Sequence, residues 1–170
     1  MMKSYLNKID RNTNGNRYDV TPLFSDHKDF SELVEDLSAC LAGTTVDLVA
    51  CIDALGFILG TAIARKLKAG ILPVRKGGKL PVKSDRIEFC DYTGLEKQLE
   101  IRRDILSSGT RVLVVDEWIE TGAQVLAAIH LIEKQGGSIV GVAAINMDDN
   151  ESTRLISSNY KVYTVWEDDA

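Results

Sequence analysis

The sequence predicts an α/β protein with a doubly wound, mostly parallel β-sheet flanked by helices. Short runs of apolar and β-branched residues, at 46–51 and 112–115, are typical of strands that are buried on both faces. Between such runs lie stretches whose apolar residues fall at helical spacing, several of them closed by glycine. Because strands and helices alternate along the chain, one parallel sheet with right-handed crossovers is expected.

The first quarter of the chain predicts an arm followed by one helix. Residues 1–17 contain Asn-Thr-Asn-Gly-Asn and are expected to form a small irregular arm or hood, with residues 18–170 as a single domain. Ser25 or Asp26 is suited to cap a helix, and Gly43 is suited to end it. The apolar positions at helical spacing are Phe30, Leu33, Val34, Leu37 and Leu41.

The remaining elements are predicted from the same two patterns. After the strand at 46–51 we expect a helix at 57–68, strands at 71–75 and 112–115, a helix at 123–135, a strand at 139–146, a short helix near 152–157 and a last strand at 162–166. Residues 76–98 are charged and punctuated by glycine, with a candidate strand at 86–89. A segment of this length and composition is typical of a flexible loop or lid.

Composition and charge are typical of a globular enzyme domain. A chain of 170 residues is long enough to bury one substantial core. Hydrophobic residues make up 45% and charged residues 26%, which is ordinary for this class. The formal net charge of −5 argues against a nucleic-acid partner, and no apolar run approaches membrane-spanning length, which argues against a membrane partner.

The cysteines and histidines do not predict a metal site. Cys40, Cys51 and Cys90 are odd in number and lack metal-like spacing, so we expect reduced thiols in a cytoplasmic protein. Cys40 and Cys51 have apolar neighbours and are expected to be small core residues. His27 and His130 are isolated, and packing or surface exposure explains them better than catalysis does.

The segment VLVVDEWIETGAQ, at residues 112–124, places two acids and a helix start directly after a buried strand. Ligands of parallel α/β sheets bind outside the carboxyl ends of the strands, and the free N–H groups of a helix N-terminus suit a phosphate. Asp116 and Glu117 would repel a phosphate, so they are better suited to hydroxyl groups. The pattern therefore predicts a site for a ribose 5-phosphate, against the alternative of an ordinary strand–turn–helix whose acids merely suit the helix dipole.

At these residues the chain resembles the type I phosphoribosyltransferases. Their signature is an apolar strand, two acids, three variable residues and then Thr-Gly, which Asp116, Glu117, Thr121 and Gly122 match. In that family the acids hold the ribose hydroxyls of phosphoribosyl diphosphate and the loop holds its 5-phosphate. The resemblance implies a ribose and 5-phosphate site formed by Asp116, Glu117, Glu120, Thr121, Gly122, Ala123 and Gln124.

A second segment resembles the adenine phosphoribosyltransferases. Asp53-Ala54-Leu55-Gly56-Phe57 matches their diphosphate loop, with Leu55 in place of an arginine, and Arg75-Lys76-Gly77-Gly78-Lys79-Leu80-Pro81 matches their basic run. The implied diphosphate site is Asp53, Ala54, Leu55, Gly56, Arg75, Lys76 and Lys79. With weaker matches at residues 18–23 and 99–101, the resemblance covers about residues 17–166 and implies the type I phosphoribosyltransferase fold.

The resemblance implies a purine phosphoribosyltransferase of the adenine type. Such an enzyme transfers the 5-phosphoribosyl group from phosphoribosyl diphosphate to a nucleobase and releases a nucleoside monophosphate and diphosphate. It also implies Mg²⁺ held mainly by the substrate without direct protein ligands, a homodimer and a cytoplasmic location. Two alternatives stay open: a regulator that binds phosphoribosyl diphosphate or a nucleotide without catalysis, and a phosphoribosyltransferase for a non-purine base.

Two acids are candidates for the catalytic proton acceptor. Asp91-Tyr92 matches the acid-tyrosine pair that covers the base in the adenine enzymes, and Glu120 stands where hypoxanthine-guanine enzymes have a carboxylate facing the purine. Tyr92 and Trp118 are the candidates for stacking on the base. Trp118 stands where a modest aliphatic residue is usual, so it either offers a stacking surface or narrows the base pocket.

Overall fold

Seven strands form one large sheet in the part of the chain described by the computed structural model, residues 3–14, 17–90 and 94–166. The strands are β1 Leu48–Ile52, β2 Gly70–Lys76, β3 Ser84–Cys90, β4 Glu96–Arg102, β5 Arg111–Val115, β6 Trp118–Ile119, β7 Ser138–Ala143, β8 Asn146–Met147 and β9 Val162–Tyr163. The helices are α1 Thr21–Ser25, α2 His27–Cys40, α3 Leu55–Leu67, α4 Ala123–Lys134 and α5 Glu151–Asn159, with a 3-10 helix at Ser4–Lys8.

The centre of the sheet is parallel, and one edge is an antiparallel hairpin. The strand order is β3-β4-β2-β1-β5-β7-β9, and β1 pairs in parallel with both β2 and β5. Strands β5, β7 and β9 continue the parallel part, whereas β4 runs antiparallel to both β2 and β3. Strands β6 and β8 pair separately as a short two-stranded sheet. The prediction of a mostly parallel sheet is confirmed.

Alternate residues of the central strands pack on opposite sides of the sheet. Val49 and Cys51 of β1 contact the core beneath α2 and α3, whereas Ala50 and Ile52 contact the core beneath α4. A strand buried on both faces needs apolar residues at every position, which is why β1 and β5 lack polar alternation. Helices therefore cover both faces, as the doubly wound class requires.

The ends of two helices follow from their capping residues. The Asp26 side chain accepts hydrogen bonds from the backbone N–H groups of Lys28 and Asp29, which fixes the start of α2 as the sequence predicted. Asn150 caps α5 in a capping box completed by Thr153. Neither α2 nor any other helix of the described ranges is long and apolar enough to cross a membrane.

The N-terminal arm is more regular than predicted. Ser4–Lys8 forms a 3-10 helix, and Tyr5, Leu6 and Ile9 are buried in the same core as α2 and α3. The Tyr5 hydroxyl donates a hydrogen bond to Asp36 of α2. This helix has only five residues, which is too short for helical periodicity to be detected in the sequence.

Residues 76–98 contain far more β-structure than predicted. Strands β3 and β4 pair along seven residues each, from Ser84 opposite Arg102 to Cys90 opposite Glu96. The candidate strand at 86–89 is confirmed and longer, but β4 was missed because its first half is charged. Elsewhere the predicted strand at 139–146 is split into β7 and β8, and the last strand is only Val162–Tyr163.

The cysteines divide between core and surface. Cys51 is buried in β1, and burial raises the pKa of its thiol to about 12. The prediction that Cys40 is also a core residue is wrong, because it is the last residue of α2 and its side chain faces outward. Cys90 is exposed at the end of β3, and all three thiols are free.

Candidate functional site

A cavity of about 490 Å³ lies outside the carboxyl ends of the parallel strands. Residues directly after three of these strands line it: Asp53 follows β1, Asp116 follows β5, and Lys76 ends β2. The start of α4 and the N-terminal segment around Tyr18 complete the wall. This is the edge at which parallel α/β sheets bind ligands.

The two acids predicted to hold a ribose are both buried in the cavity wall. Asp116 is 6% exposed and Glu117 is 3% exposed. The backbone N–H of Asp116 donates to Ala143 O, and the backbone N–H of Glu117 donates to Asp116 Oδ1 at 2.9 Å. Burial, reinforced by the adjacent Glu117 carboxylate, raises the pKa of Asp116 well above its ordinary value. Asp116 and Glu117 therefore lie at the end of β5, on the cavity, where the sequence predicted them.

The predicted phosphate loop joins the acids to α4. Gly122 has φ +79°, and a Cβ added there would lie 3.0 Å from the side chain of Ile156 and 3.2 Å from that of Thr153, so glycine is required for both reasons. The Thr121 hydroxyl accepts a hydrogen bond from Ala123 N–H at 3.3 Å. Thr121, Gly122 and Gln124 line the cavity, and α4 presents its N-terminus there.

The predicted diphosphate loop lies between β1 and α3. Asp53, Ala54 and Leu55 line the cavity, and the Asp53–Ala54 peptide bond is cis. Gly56 packs against the neighbouring strand end, where an added Cβ would lie 2.9 Å from Val115 O. The loop and the acid pair are therefore in backbone contact, which holds the two halves of the site together.

The three predicted cations are not brought together. Lys76 lines the cavity, whereas the Arg75 Nε atom donates to Asp53 Oδ2 at 3.2 Å and its guanidinium lies 5.7 Å from the ring centroid of Phe57. Lys79 is exposed and is not part of the lining. Arg75 thus supports the diphosphate loop from behind through Asp53.

The basic run is tied down by a buried glutamate of β4. Glu100 is fully buried and accepts hydrogen bonds from the backbone N–H groups of Lys79 and Leu80, at 2.7 and 2.8 Å. The Ser84 hydroxyl and Arg86 Nε donate to its other oxygen, at 2.8 and 3.0 Å. Burial raises the pKa of Glu100, but these donors outweigh it, and the pKa lies below its ordinary value.

Trp118 stands in an aromatic cluster at one end of the cavity. Its ring centroid lies 5.4 Å from that of Tyr18 and 5.3 Å from that of Trp166, both in edge-to-face arrangements. Its Nε1 atom donates to Asp148 Oδ1 at 3.0 Å. Trp118 lines the cavity as predicted, but as one face of this cluster rather than as an isolated floor.

Of the two candidate proton acceptors, Glu120 is among the described residues and Asp91 is not. Glu120 lines the cavity, and its carboxylate lies 3.6 Å from Arg17 Nε. Its backbone oxygen accepts a hydrogen bond from the Asn150 side chain at 2.7 Å, which fixes the position of the loop. Asp91 and Tyr92 lie outside the described residues.

Sequence reasoning missed part of the cavity wall. The additional lining residues are Arg17, Tyr18, Asp19, Val20, Phe89, Lys97, Gln98, Ile119 and Val125. Residues 18–20 belonged to a weak N-terminal match to the adenine enzymes, but they were not assigned to the site. Phe89, Lys97 and Gln98 belong to the β3–β4 hairpin. No local sequence pattern indicates that this hairpin, at the edge of the sheet, reaches the cavity.

The comparisons with known proteins agree with this geometry. A family model described as the phosphoribosyl transferase domain matches residues 24–169, most of the chain. The chain belongs to the phosphoribosyltransferase family. This phosphoribosyltransferase is therefore a pentosyltransferase by family, and the predicted family membership and fold are confirmed.

Similar proteins carry the name of the adenine branch. The phosphoribosyltransferase is 39% identical over 132 residues to the adenine phosphoribosyltransferase of Acidobacterium capsulatum, which covers 77% of this chain and 72% of that protein. It is 42% identical over 127 residues to that of Brucella anthropi, covering 75% and 70%. The crystal structure of adenine phosphoribosyltransferase from Rhodothermus marinus matches with a TM-score of 0.85 and 30% identity over 95% of each chain.

Proposed function

We propose that this phosphoribosyltransferase transfers the 5-phosphoribosyl group of phosphoribosyl diphosphate to adenine and releases AMP and diphosphate, a purine-salvage reaction. The observation that carries the proposal is the single cavity in which a buried acid pair, a helix start and Lys76 meet at the carboxyl ends of the parallel strands. The adenine names of the relatives support the choice of base.

The ribose 5-phosphate half of the substrate is assigned to the segment after β5. Asp116 and Glu117 would accept hydrogen bonds from the ribose hydroxyls and hold the sugar in place. The backbone N–H groups at the start of α4, with Thr121 and Gln124, would bind the 5-phosphate. Gly122 allows the left-handed turn that brings these donors to the cavity.

The diphosphate half is assigned to the loop after β1 and to the hairpin. Backbone N–H groups of residues 54–56 would bind the leaving group, with Lys76 as a cation, whereas the N–H of Asp53 donates to Val74 O. Leu55 supplies no charge where the related enzymes have an arginine. Lys97 lines the same cavity from β4 and is placed to supply positive charge in its stead. Arg75 and Lys79 would act indirectly, through Asp53 and the Glu100-bound loop.

The donor set of the cavity fits a Mg²⁺ ion that arrives with the substrate. The described residues contain no group of three or more His, Cys, Asp or Glu side chains placed to hold a metal. Asp116 and Glu117 are the carboxylates that would help to hold an ion bound to the ribose hydroxyls. When bound, Mg²⁺ would neutralise the negative charge that develops on the leaving diphosphate.

The base is assigned to the end of the cavity that contains the aromatic cluster. Tyr18, Trp118 and Ile119 line this end, and Glu120 is the described acid placed to accept the proton of the attacking nitrogen. If the base contacts Trp118, Trp118→Leu should weaken nucleotide binding by roughly 1–3 kcal/mol and leave phosphoribosyl diphosphate binding nearly unchanged. A mutant that gains adenine activity absent from the wild type would show instead that Trp118 blocks the base pocket.

One experiment tests the proposed reaction directly. The protein is incubated with phosphoribosyl diphosphate, Mg²⁺ and each of a panel of purine and pyrimidine bases, and the products are identified by mass. The proposal expects AMP from adenine. Product from a non-purine base would move the assignment to another phosphoribosyltransferase, and tight binding of phosphoribosyl diphosphate without any product would make the protein a regulator, an alternative that Leu55 in the diphosphate loop favours.

The cellular setting is carried over from the same resemblance. We assign the protein to the cytoplasm as a homodimer. Sedimentation at micromolar concentration would give the mass of two chains, and a single-chain mass would contradict the assignment.

A further inference from the structure

An arginine of the N-terminal segment lies on the acid pair of the cavity. Arg17 Nη2 donates to Glu117 Oε1 in a short contact, and Arg17 Nε lies 3.6 Å from Glu120 Oε1. The Glu117 side chain is 5% exposed, whereas the Arg17 side chain is 53% exposed and lines the cavity. The guanidinium therefore bridges two acids that are three residues apart along the chain and reaches them from the solvent side.

The acid pair needs a partner of this kind. Carboxylates accept hydrogen bonds from hydroxyls more strongly when they are charged, yet two adjacent carboxylates in a buried site repel each other. The raised pKa of Asp116 is the result of burial and of Glu117, and the charge of Arg17 acts against both. A carboxylate can accept about four hydrogen bonds, so the guanidinium on Glu117 leaves room for a ligand hydroxyl.

Arg17 itself stays charged in this position. Burial lowers its pKa, but the opposing charges of Glu117 and Glu120 outweigh this, and the pKa lies above its ordinary value. The other charged groups that line the cavity come from five parts of the chain. They are Asp19 in the N-terminal segment, Asp53 after β1, Lys76 in β2, Lys97 in β4, and Asp116, Glu117 and Glu120 after β5. The cations that line the cavity among the described residues are Arg17, Lys76 and Lys97, and Arg17 is the one that bridges Glu117 and Glu120.

We propose that Arg17 is the positioning residue of the ribose site: by contacting both Glu117 and Glu120 it holds their carboxylates in place, so that the acid pair can accept the ribose hydroxyls. The proposal rests on the proposed function, because it assumes that the acids bind a ribose. Arg17 makes no contact with the phosphate in this role, so its loss should affect recognition of the sugar hydroxyls and spare the rest of the ligand.

The test compares two sugar phosphates that differ by one hydroxyl. Calorimetry measures the binding of ribose 5-phosphate and of 2-deoxyribose 5-phosphate to the wild type, Arg17→Gln, Arg17→Lys and Arg103→Gln. Arg103 is the matched control, because its side chain is 50% exposed, pairs with the partly buried Asp85 and does not line the cavity.

Arg17→Gln should weaken ribose 5-phosphate binding by at least about tenfold, the size of a hydrogen bond to a charged group, and 2-deoxyribose 5-phosphate binding by clearly less. Arg17→Lys, which keeps the charge, should restore most of the affinity, and Arg103→Gln should behave as the wild type.

Three results would overturn the proposal. Tighter binding by Arg17→Gln would show that Arg17 obstructs the site, an equal loss for both sugars would show a direct contact with the phosphate, and unchanged binding would show no role. Thermal unfolding of each variant shows whether it is folded. A wild type that binds neither sugar phosphate, nor phosphoribosyl diphosphate, would contradict the proposed function rather than the role of Arg17.

Discussion

Two buried acids at different strands of the sheet, separated by β2 and β1, have opposite environments. Glu100 in β4 receives two backbone N–H groups, a hydroxyl and a guanidinium, and its pKa lies below the ordinary value. Asp116 after β5 receives the backbone N–H of Glu117 and faces a second carboxylate, and its pKa lies above the ordinary value. Both are less than a tenth exposed, so burial alone does not explain the difference.

The difference indicates two roles: Glu100 stabilises the structure, whereas Asp116 is available to bind a ligand. The protein supplies the partners of Glu100 itself, and in doing so fixes the loop of residues 79–80 and the hairpin. For Asp116 and Glu117 it leaves most of the compensation to Arg17 and, as proposed, to the hydroxyls of the substrate. Poorly compensated buried charge at a cavity is a signature of a functional site.

The largest effect is expected from removing the charges of the acid pair. Asp116→Asn with Glu117→Gln should weaken the binding of phosphoribosyl diphosphate by on the order of 2–4 kcal/mol, because several charge-assisted hydrogen bonds are lost. The double mutant should stay folded, because the removal of the repulsion between the two carboxylates opposes the loss of the Arg17–Glu117 ion pair. Calorimetry and urea unfolding give the two numbers, and unchanged affinity would remove the acids from the site.

A smaller effect, on stability instead of binding, is expected at Glu100. Glu100→Gln should lower the free energy of unfolding by about 1–3 kcal/mol, because the amide leaves buried donors without acceptors. Glu88→Gln is the matched control, since Glu88 lies exposed on the paired strand β3. If both variants unfold at the same urea concentration, Glu100 does not hold the hairpin in place.

The smallest effect is a pair of opposite pH dependences. Because the pKa of Glu100 is lowered on folding, its contribution is fully present above the unfolded value of about 4.3 and is lost as the pH falls through the folded value. Because the pKa of Asp116 is raised, the folded protein instead loses stability as the pH rises through the folded value of Asp116.

The two dependences can be separated by unfolding single mutants across the pH range. Glu100→Gln should flatten the acid side of the stability profile, and Asp116→Asn should flatten the loss of stability toward neutral pH. Profiles that keep their shape in both mutants would mean that neither acid has a shifted pKa.

The sequence predicted the features that a short stretch of chain encodes. The β5 strand, the acids Asp116 and Glu117 and the turn at Gly122 are contiguous, and their spacing alone places them at a sheet edge. The buried central strands were found for the same reason, since residues buried on both faces are apolar at every position.

The missed features depend on contacts between distant parts of the chain. Arg17 meets Glu117 across 100 residues, and nothing near either residue indicates the pairing. Strand β4 was missed because its first half is polar, and alternation would place Glu100 on the exposed face, although Leu99, Glu100 and Ile101 are all buried. Arg75 and Lys79 matched the pattern of a diphosphate site. In the structure, however, the Arg75 side chain donates to Asp53 and the Lys79 side chain is exposed to solvent.

The most direct test of the contrast is to titrate the carboxyl groups by ¹³C NMR in the free protein and with ribose 5-phosphate. Asp116 is expected to titrate above the ordinary aspartate range and Glu100 below the ordinary glutamate range. Addition of ribose 5-phosphate should shift the signals of Asp116 and Glu117 and leave that of Glu100 in place. Ordinary pKa values for both acids, or a ligand response at Glu100 and none at Asp116, would contradict the account.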